Sequence, residues 1–242
     1  MNTIIIIPSR MRSTRFPNKP MALIDGIPMI QRVWQQGKLA DIGHVVVACC
    51  EKEVYDLIKS LGGDAVMTLP TSPSGTDRIF EVIKNLPNNI QFDSIINLQG
   101  DMPIINPQDI QKVNIPLTQG FDIGTLVTDI KDEELKNLNV TKTKINWIKN
   151  NNLGEAIDFY KDVKVNAKNI YHHVGIYSFS FKSLKNFTKL KPSKNEIYHK
   201  LEQWRALDAN MKIGASFIKN IPLSVDTKED LIKVENIIKD SK

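Results

Sequence analysis

Near the start of the chain, a run of four isoleucines empties into a loop holding three arginines, a lysine and three hydroxyl residues. Ile4–Ile7 is short, apolar and β-branched, the composition of a buried strand, and Pro8 ends it. Ser9-Arg10-Met11-Arg12-Ser13-Thr14-Arg15-Phe16-Pro17-Asn18-Lys19-Pro20 follows. A strand anchors such a loop, and the loop presents cations and free N–H groups, which suits a polyphosphate. Arginine offers a planar fork and lysine a movable point charge. A solvated basic loop is the plain alternative. Pro17 and Pro20 fix the backbone around Lys19 and weigh against it. The Gly-x-x-x-x-Gly-Lys-Ser/Thr pattern is absent, so Arg10, Arg15 and Lys19 are candidates to hold a nucleoside triphosphate without a P-loop.

Two carboxylates occupy comparable positions. Asp101 follows the apolar stretch 93–98 and Gln99-Gly100, and Asp226 follows 221–225. Mg2+ is held by one or two carboxylates plus substrate phosphates, so this pair suits it. A turn-forming Asp101 and a helix-capping Asp226 are the structural alternatives. Ser74-Gly75-Thr76 puts small hydroxyls before a helical pattern, whose N-terminus would receive an anion or a base edge. His173, Tyr177, Glu202 and Gln203 are polar groups on otherwise apolar elements, and ordinary exposure explains that pattern alone. His172-His173 and Cys49-Cys50 fail as metal sites, because neighbouring strand residues point to opposite faces. No Ser/His/Asp or Cys/His arrangement is evident.

The elements that must position these residues alternate. After the opening strand come a turn at Asp25-Gly26, a helix from Pro28 to Leu39, a strand over 44–50 and a helix over 51–61 closed by Gly62-Gly63. A strand over 64–68, a helix beginning after Ser74 and a strand over 93–98 complete β-α-β-α-β-α-β. Such alternation predicts an α/β fold with a doubly wound, mostly parallel sheet, whose ligands sit beyond the carboxyl ends of the strands. The Arg-rich loop, the Ser-Gly-Thr loop and the Gln-Gly-Asp turn all lie at such ends. Further on, the pattern predicts a helix over 106–119 from near Pro107, a strand over 123–127 and mixed strands and loops over 131–152. A strand over 170–181, a helix over 195–207, a strand over 213–218 and a helix over 228–238 capped by Thr227 follow.

The 242 residues fit one large α/β domain or two small ones, and 41% hydrophobic with 24% charged residues marks an ordinary soluble globular protein. The net charge of +5 comes from lysines scattered beside asparagines, a pattern of solvated faces, so no nucleic-acid partner is expected. Two adjacent cysteines fit buried thiols and a reducing, cytoplasmic setting. No stretch approaches a membrane span, and no signal peptide is visible.

Read together, six segments resemble the 3-deoxy-manno-octulosonate (Kdo) cytidylyltransferases, or CMP-Kdo synthetases. They are Ile7–Pro20, Ser74–Arg78, Asn97–Pro103, His173–Tyr177, Leu201–Arg205 and Val225–Leu231, in the family's order and spacing. The resemblance implies a Rossmann-like, GT-A-like nucleotidyltransferase with an inserted dimerisation segment. It implies a single domain over 1–242, with about 125–200 forming the sugar-site and dimerisation portion, and a homodimer. It implies attack of the Kdo anomeric hydroxyl on the α-phosphate of CTP, giving CMP-Kdo and pyrophosphate for lipopolysaccharide synthesis, with Mg2+. Carried over by position, Arg10, Arg15 and Lys19 hold the triphosphate, Ser74 and Gln99 help place the nucleotide, and Asp101 and Asp226 hold Mg2+. His173, Tyr177, Glu202 and Gln203 line the sugar site.

There are departures. Cys49-Cys50 replaces the family's Thr-Asp, and Asp158-Phe159-Tyr160-Lys161 replaces Tyr-Phe-Ser-Arg. Lys161 keeps the charge of the sugar-end arginine but loses its fork. Asn139–Lys144 also fits poorly. These changes bear on the sugar, and leave 8-amino-Kdo or a sialic-acid-like ulosonate as alternatives.

Overall fold

The computed structural model describes residues 1–11, 15–87, 91–149, 152–163 and 168–240. Arg12, Ser13 and Thr14 of the opening loop lie outside the described residues. In chain order the first elements are β1 (Thr3–Pro8), β2 (Leu23–Ile24), β3 (Ile27–Pro28), α1 (Met29–Leu39), β4 (Gly43–Cys49), α2 (Lys52–Ser60), β5 (Asp64–Met67), α3 (Gly75–Lys84) and β6 (Ser94–Asn97). Then come α4 (Pro107–Lys112), α5 (Ile115–Thr118), β7 (Ile123–Thr128), α6 (Asp132–Leu135), β8 (Lys142–Lys149), β9 (Leu153–Tyr160), β10 (Ile170–Phe179), α7 (Phe181–Phe187), α8 (Lys194–His199), α9 (Gln203–Asp208), β11 (Ile213–Phe217) and α10 (Lys228–Asp240). The chain divides into two compact units, Met1–Ile110 with Pro222–Lys242, and Gln111–Ile221. The portion assigned from the resemblance to about 125–200 falls inside the second unit.

In the first unit the strand order is β5-β4-β1-β6, all parallel. β1 lies between two strands, α1 and α3 pack against it, and all four isoleucines are fully buried. Each contributes roughly 1.5–3 kcal/mol of apolar burial. β2 and β3 form a hairpin across Asp25-Gly26, where both residues have positive φ (47° and 74°), the geometry a two-residue turn requires. Pro28 closes this hairpin in extended conformation rather than opening the helix, and α1 starts at Met29.

A separate apolar cluster steers the opening loop. Phe16, Ile24, Met29, Val225 and Val234 are buried together, so the residue after Arg15 and the residue before Asp226 share one core. Thr227 caps α10 as the sequence predicts: its hydroxyl accepts from the Asp230 N–H at 3.2 Å, while Asp230 accepts from the Thr227 N–H at 3.0 Å.

In the second unit the order is β10-β7-β11-β9-β8, and β8 also pairs with β10. Only β7 and β11 are parallel here; the other pairings are antiparallel. Two expected helices come out broken. The one over 106–119 is α4 and α5, separated by a turn before Pro116, whose missing N–H suits a new first turn. The one over 195–207 is α8 and α9. Lys200 between them is left-handed (φ 56°), and Arg205 turns back to grip Glu196 with two bonds of 2.8 and 2.5 Å. The apolar spacing of Ile197, Leu201 and Trp204 hid this break. The strand expected over 170–181 ends at Phe179, where Ser180 caps α7.

Candidate active site

The first unit's strand ends build one charged cavity of about 480 Å³. It is lined by every residue assigned to the nucleotide and metal: Arg10, Arg15, Lys19, Ser74, Gln99, Asp101 and Asp226. Lys19 sits in a short 3-10 turn after left-handed Asn18, whose N–H donates to the Met11 carbonyl at 3.0 Å and closes the loop. Its ammonium lies 2.9 Å from Asp101 Oδ2 and 3.3 Å from Asp226 Oδ1. Arg15 adds a contact to Asp226 Oδ1 at 3.1 Å. The Val225 N–H donates to the Asp101 carbonyl at 2.8 Å, which sets the two acidic residues side by side.

Gly100 permits the approach of these strand ends, because a Cβ there would stand 2.9 Å from the Pro8 carbonyl oxygen. Gln99 is held by Asn97, whose side-chain oxygen accepts from Gln99 Nε2 at 3.0 Å. Ser74 is the N-cap of α3, and its hydroxyl accepts from the Asp77 N–H at 3.2 Å. That cap leaves the next N–H groups of the helix at the cavity wall.

Among the described residues no cluster of three or more His, Cys, Asp or Glu side chains could hold a metal alone. Asp101 and Asp226 nonetheless meet the fit for Mg2+: two hard oxygen donors converge on one cation, and phosphates would complete the shell.

Sequence reasoning missed Ser9, Ser72 and Arg78, which line the same cavity. Arg78 lies four residues after Ser74, one turn along α3, so it shares the face of the cap. That spacing was the available signal.

The second unit gathers a different set. β10 carries an irregularity: Val174 is opposite Leu126, while Tyr177 is opposite Thr125. Two residues are absorbed there, so His173 and Tyr177 stand two ladder positions apart rather than four. Their rings approach to 5.6 Å. The Thr125 hydroxyl lies 3.2 and 2.9 Å from the Val174 and Ile176 carbonyls and 3.0 Å from His173 Nε2. Its single proton serves a carbonyl, so it accepts from His173 Nε2–H and fixes that tautomer. Burial holds the His173 pKa down to about 3, so the ring is neutral. Burial also pushes the Tyr177 hydroxyl well above its usual range.

Gln203 Nε2 donates to the Tyr177 hydroxyl, and Glu202 acts on the same hydroxyl through its charge. Arg205 also lies 3.7 Å from Glu202 Oε1. Gln203 Oε1 is buried with no hydrogen-bond partner among the described residues, an acceptor that a sugar hydroxyl would satisfy. Lys161 stands apart from this cluster. Its backbone carbonyl accepts from Lys142 Nζ at 2.8 Å, and that fully buried ammonium also donates to the Asn137 carbonyl at 2.6 Å. His172 points away to Glu134 at 3.1 Å, which separates the two neighbouring histidines as expected.

The sequence model of the cytidylyltransferase family matches residues 4–213. A 3-deoxy-manno-octulosonate cytidylyltransferase of Paramagnetospirillum magneticum is 43% identical over 99% of this chain and 98% of its own. The chain belongs to the 3-deoxy-manno-octulosonate cytidylyltransferase family. A second member, from Brucella canis, is 39% identical over 96% of this chain and 93% of its own. A CMP:2-keto-3-deoxy-manno-octonic acid synthetase solved in complex with CTP superposes with a TM-score of 0.89 at 31% identity, each chain covered in full. A UDP-glucose pyrophosphorylase, at 14% identity and a TM-score of 0.70, shares the fold. The family thus accounts for the mixed α/β nucleotidyltransferase architecture, with its parallel sheet in the first unit.

Proposed function

We propose that this chain transfers CMP from CTP to Kdo, releasing pyrophosphate, and that the product serves lipopolysaccharide synthesis. The observation that carries this reading is the single cavity in which Lys19 meets Asp101 and Asp226, with Arg10, Arg15, Ser74 and Gln99 in its wall. The sugar's anomeric oxygen forms a bond to the α-phosphorus, and the bond from that phosphorus to the pyrophosphate oxygen breaks. The hydroxyl proton passes to solvent. Such chemistry asks for alignment and neutralised charge more than for a side-chain base.

Arg10, Arg15 and Lys19 hold the triphosphate and stabilise negative charge on the departing pyrophosphate. Bound Mg2+, held by Asp101 and Asp226, would supply Lewis-acid polarisation and lower the pKa of the attacking hydroxyl. Lys19 keeps these carboxylates together until phosphates arrive. In the second unit, Tyr177, Gln203, Glu202 and neutral His173 form a sugar-hydroxyl surface, with Lys161 taking the sugar carboxylate.

A homodimer is part of this reading. Ile148, Ile197 and Tyr198 are 59%, 65% and 81% exposed in the second unit, and sedimentation velocity tests the pairing. Two free cysteines accord with a cytoplasmic setting, and among the described residues no helix is long and apolar enough to cross a membrane.

The deciding experiment is pyrophosphate release from four nucleoside triphosphates against Kdo, 8-amino-Kdo and N-acetylneuraminate, with and without Mg2+. CTP with Kdo and Mg2+ is the expected pair. Binding of CTP without release for any of the three sugars would overturn the enzymatic reading. Preference for 8-amino-Kdo would redirect the sugar and leave the nucleotide chemistry standing.

A further inference from the structure

The net charge of +5 is unevenly placed. The first unit holds 14 Lys and Arg against 16 Asp and Glu, and the second holds 18 against 11. Within the second unit, residues 181–194 contain five lysines and no carboxylate, an excess as large as that of the whole chain. Lys182, Lys185, Lys189, Lys191 and Lys194 are all exposed. Among the described residues no carboxylate pairs with any of them, whereas Lys52, Lys59 and Lys239 elsewhere on the surface each have such a partner. An ordinary solvated face intersperses both signs and so avoids this self-repulsion.

Packing holds the run in place. Ser180 and Ser193 cap α7 and α8, their hydroxyls accepting from the N–H groups of Ser183 and Glu196 at 3.0 and 3.1 Å. Leu184 and Phe187 are buried, and the Phe187 ring lies 6.0 Å from Phe179 of β10. The opposite face of α7 carries Lys182 and Lys185, three residues apart and therefore neighbours. The Lys189 and Leu190 N–H groups donate to the Asn186 and Phe187 carbonyls, which carries the coil past α7 and brings Lys189 over the same face. Phe181 stands 47% exposed beside it, with the Lys185 ammonium 6.0 Å from its ring centre.

The chemistry of this set narrows its partner. A second copy of the chain would bring the same five cations and be repelled. Lysine ammoniums are point charges that suit a diffuse anionic surface, and the run has no arginine fork to grip single phosphates or base edges. The exposed phenyl ring adds apolar area that a bilayer interface buries and duplex nucleic acid does not. We propose that residues 181–194 are a docking surface for an anionic lipid bilayer, held by their five lysines and by Phe181 at the headgroup level. The attachment is peripheral and reversible. The proposed function gives it a purpose: a sugar bound for lipopolysaccharide must be transferred to a lipid acceptor, so the reaction that consumes the product belongs at a membrane. The purpose rests on that reading, and the binding does not.

Co-sedimentation with vesicles tests it, comparing pure phosphatidylcholine with phosphatidylcholine holding about 30% phosphatidylglycerol at about 0.1 M salt. The bound fraction is expected to be at least ~5-fold higher on the anionic vesicles and to fall to the neutral level at about 0.5 M salt. The triple variant Lys182→Glu, Lys185→Glu, Lys189→Glu is expected to bind at least ~10-fold more weakly, with pyrophosphate release in vesicle-free solution within about two-fold of wild type. Should it not fold, glutamine at the same three positions replaces it, with a smaller loss of the same sign. Phe181→Ser is expected to weaken vesicle binding by about 3-fold and leave the salt dependence unchanged. Equal binding to both kinds of vesicle, or a triple variant that binds like the wild type, would overturn the proposal. So would duplex DNA that strips the protein from the vesicles at the same salt, which would make nucleic acid the better partner. Vesicle binding by a protein that releases no pyrophosphate would fail the catalytic reading and leave this surface standing.

Discussion

The two candidate clusters oppose each other in charge, water and construction. In the first unit, Arg15, Lys19, Asp101 and Asp226 are formally charged, partly exposed and drawn from residues up to 211 positions apart. In the second, His173 and Tyr177 come from one strand, one buried and the other half-buried, and are held neutral by desolvation. The difference teaches what each ligand part demands. A triphosphate arrives with its own charge, so the groups awaiting it must be ionised and able to exchange one partner for another. Sugar hydroxyls are told apart by hydrogen bonds whose loss is expensive only in a dry site.

The largest expected effect is on the charged side. Asp101→Asn and Asp226→Asn each remove a negative charge facing Lys19, and each is expected to cost at least ~10²-fold in kcat. Pyrophosphate release at saturating substrates measures it. Near-normal turnover in either variant would mean that the acidic pair only tethers Lys19, and the contrast between a catalytic and a selective cluster would collapse. On the neutral side, Tyr177→Phe removes one hydroxyl from a part-buried contact with Gln203. It is expected to raise the sugar KM about 5–10-fold and leave the CTP KM unchanged, the scale of one hydrogen bond. A matching rise in the CTP KM would show that the cluster does not read the sugar.

The two regions also differed in how far the sequence revealed them. The charged cluster was legible because each part follows an apolar strand and is spelled by residues with distinctive chemistry: Arg10, Arg15 and Lys19 after Ile4–Ile7, Asp101 after Gln99-Gly100. Burial at a central parallel strand produces an uninterrupted apolar run, which is hard to mistake. Arg78 escaped because it sits inside a helical pattern, where an arginine reads as solvated. The second unit was less legible for a different reason. Its antiparallel strands β8 and β9 carry Lys142, Asn146 and Asp158 among apolar residues, so alternation is blurred. Its helix break at Lys200 serves the Arg205–Glu196 pair, a contact set by tertiary structure and invisible to periodicity. The two-residue irregularity in β10 left no mark on the sequence other than Gly175.

Stability against pH separates the regions without any substrate. His173 is neutral in the folded protein, its pKa held at about 3 by burial, against about 6.5 when unfolded. A folded-state pKa below the unfolded one means the unfolded chain binds the extra proton as pH drops. The contribution of His173 is therefore fully present above pH ~6.5 and is lost progressively toward pH ~3, by at most ~1.4 kcal/mol per pH unit. Denaturant midpoints between pH 7 and 5, above most carboxylate titration, read this loss. His173→Gln is expected to flatten the slope, with His172 supplying what remains, since burial lowers its pKa as well. An unchanged slope would show that the ring is hydrated, and the contrast between a dry and a wet cluster would fail.

The smallest effect concerns Lys161, proposed above to take the sugar carboxylate. Its carbonyl is fixed by the buried Lys142 ammonium, so the backbone is placed while the side chain carries a single compact charge. The family pattern that the sequence resembles leads one to expect an arginine at this position. A guanidinium grips a carboxylate with two parallel bonds and loses less freedom for each. Lys161→Arg is expected to lower the Kdo KM by about 2–5-fold with kcat unchanged, since a ground-state contact is improved rather than a transition-state one. A fall in kcat instead would place residue 161 on the reacting carbon's side of the sugar, and charge would then belong to both clusters.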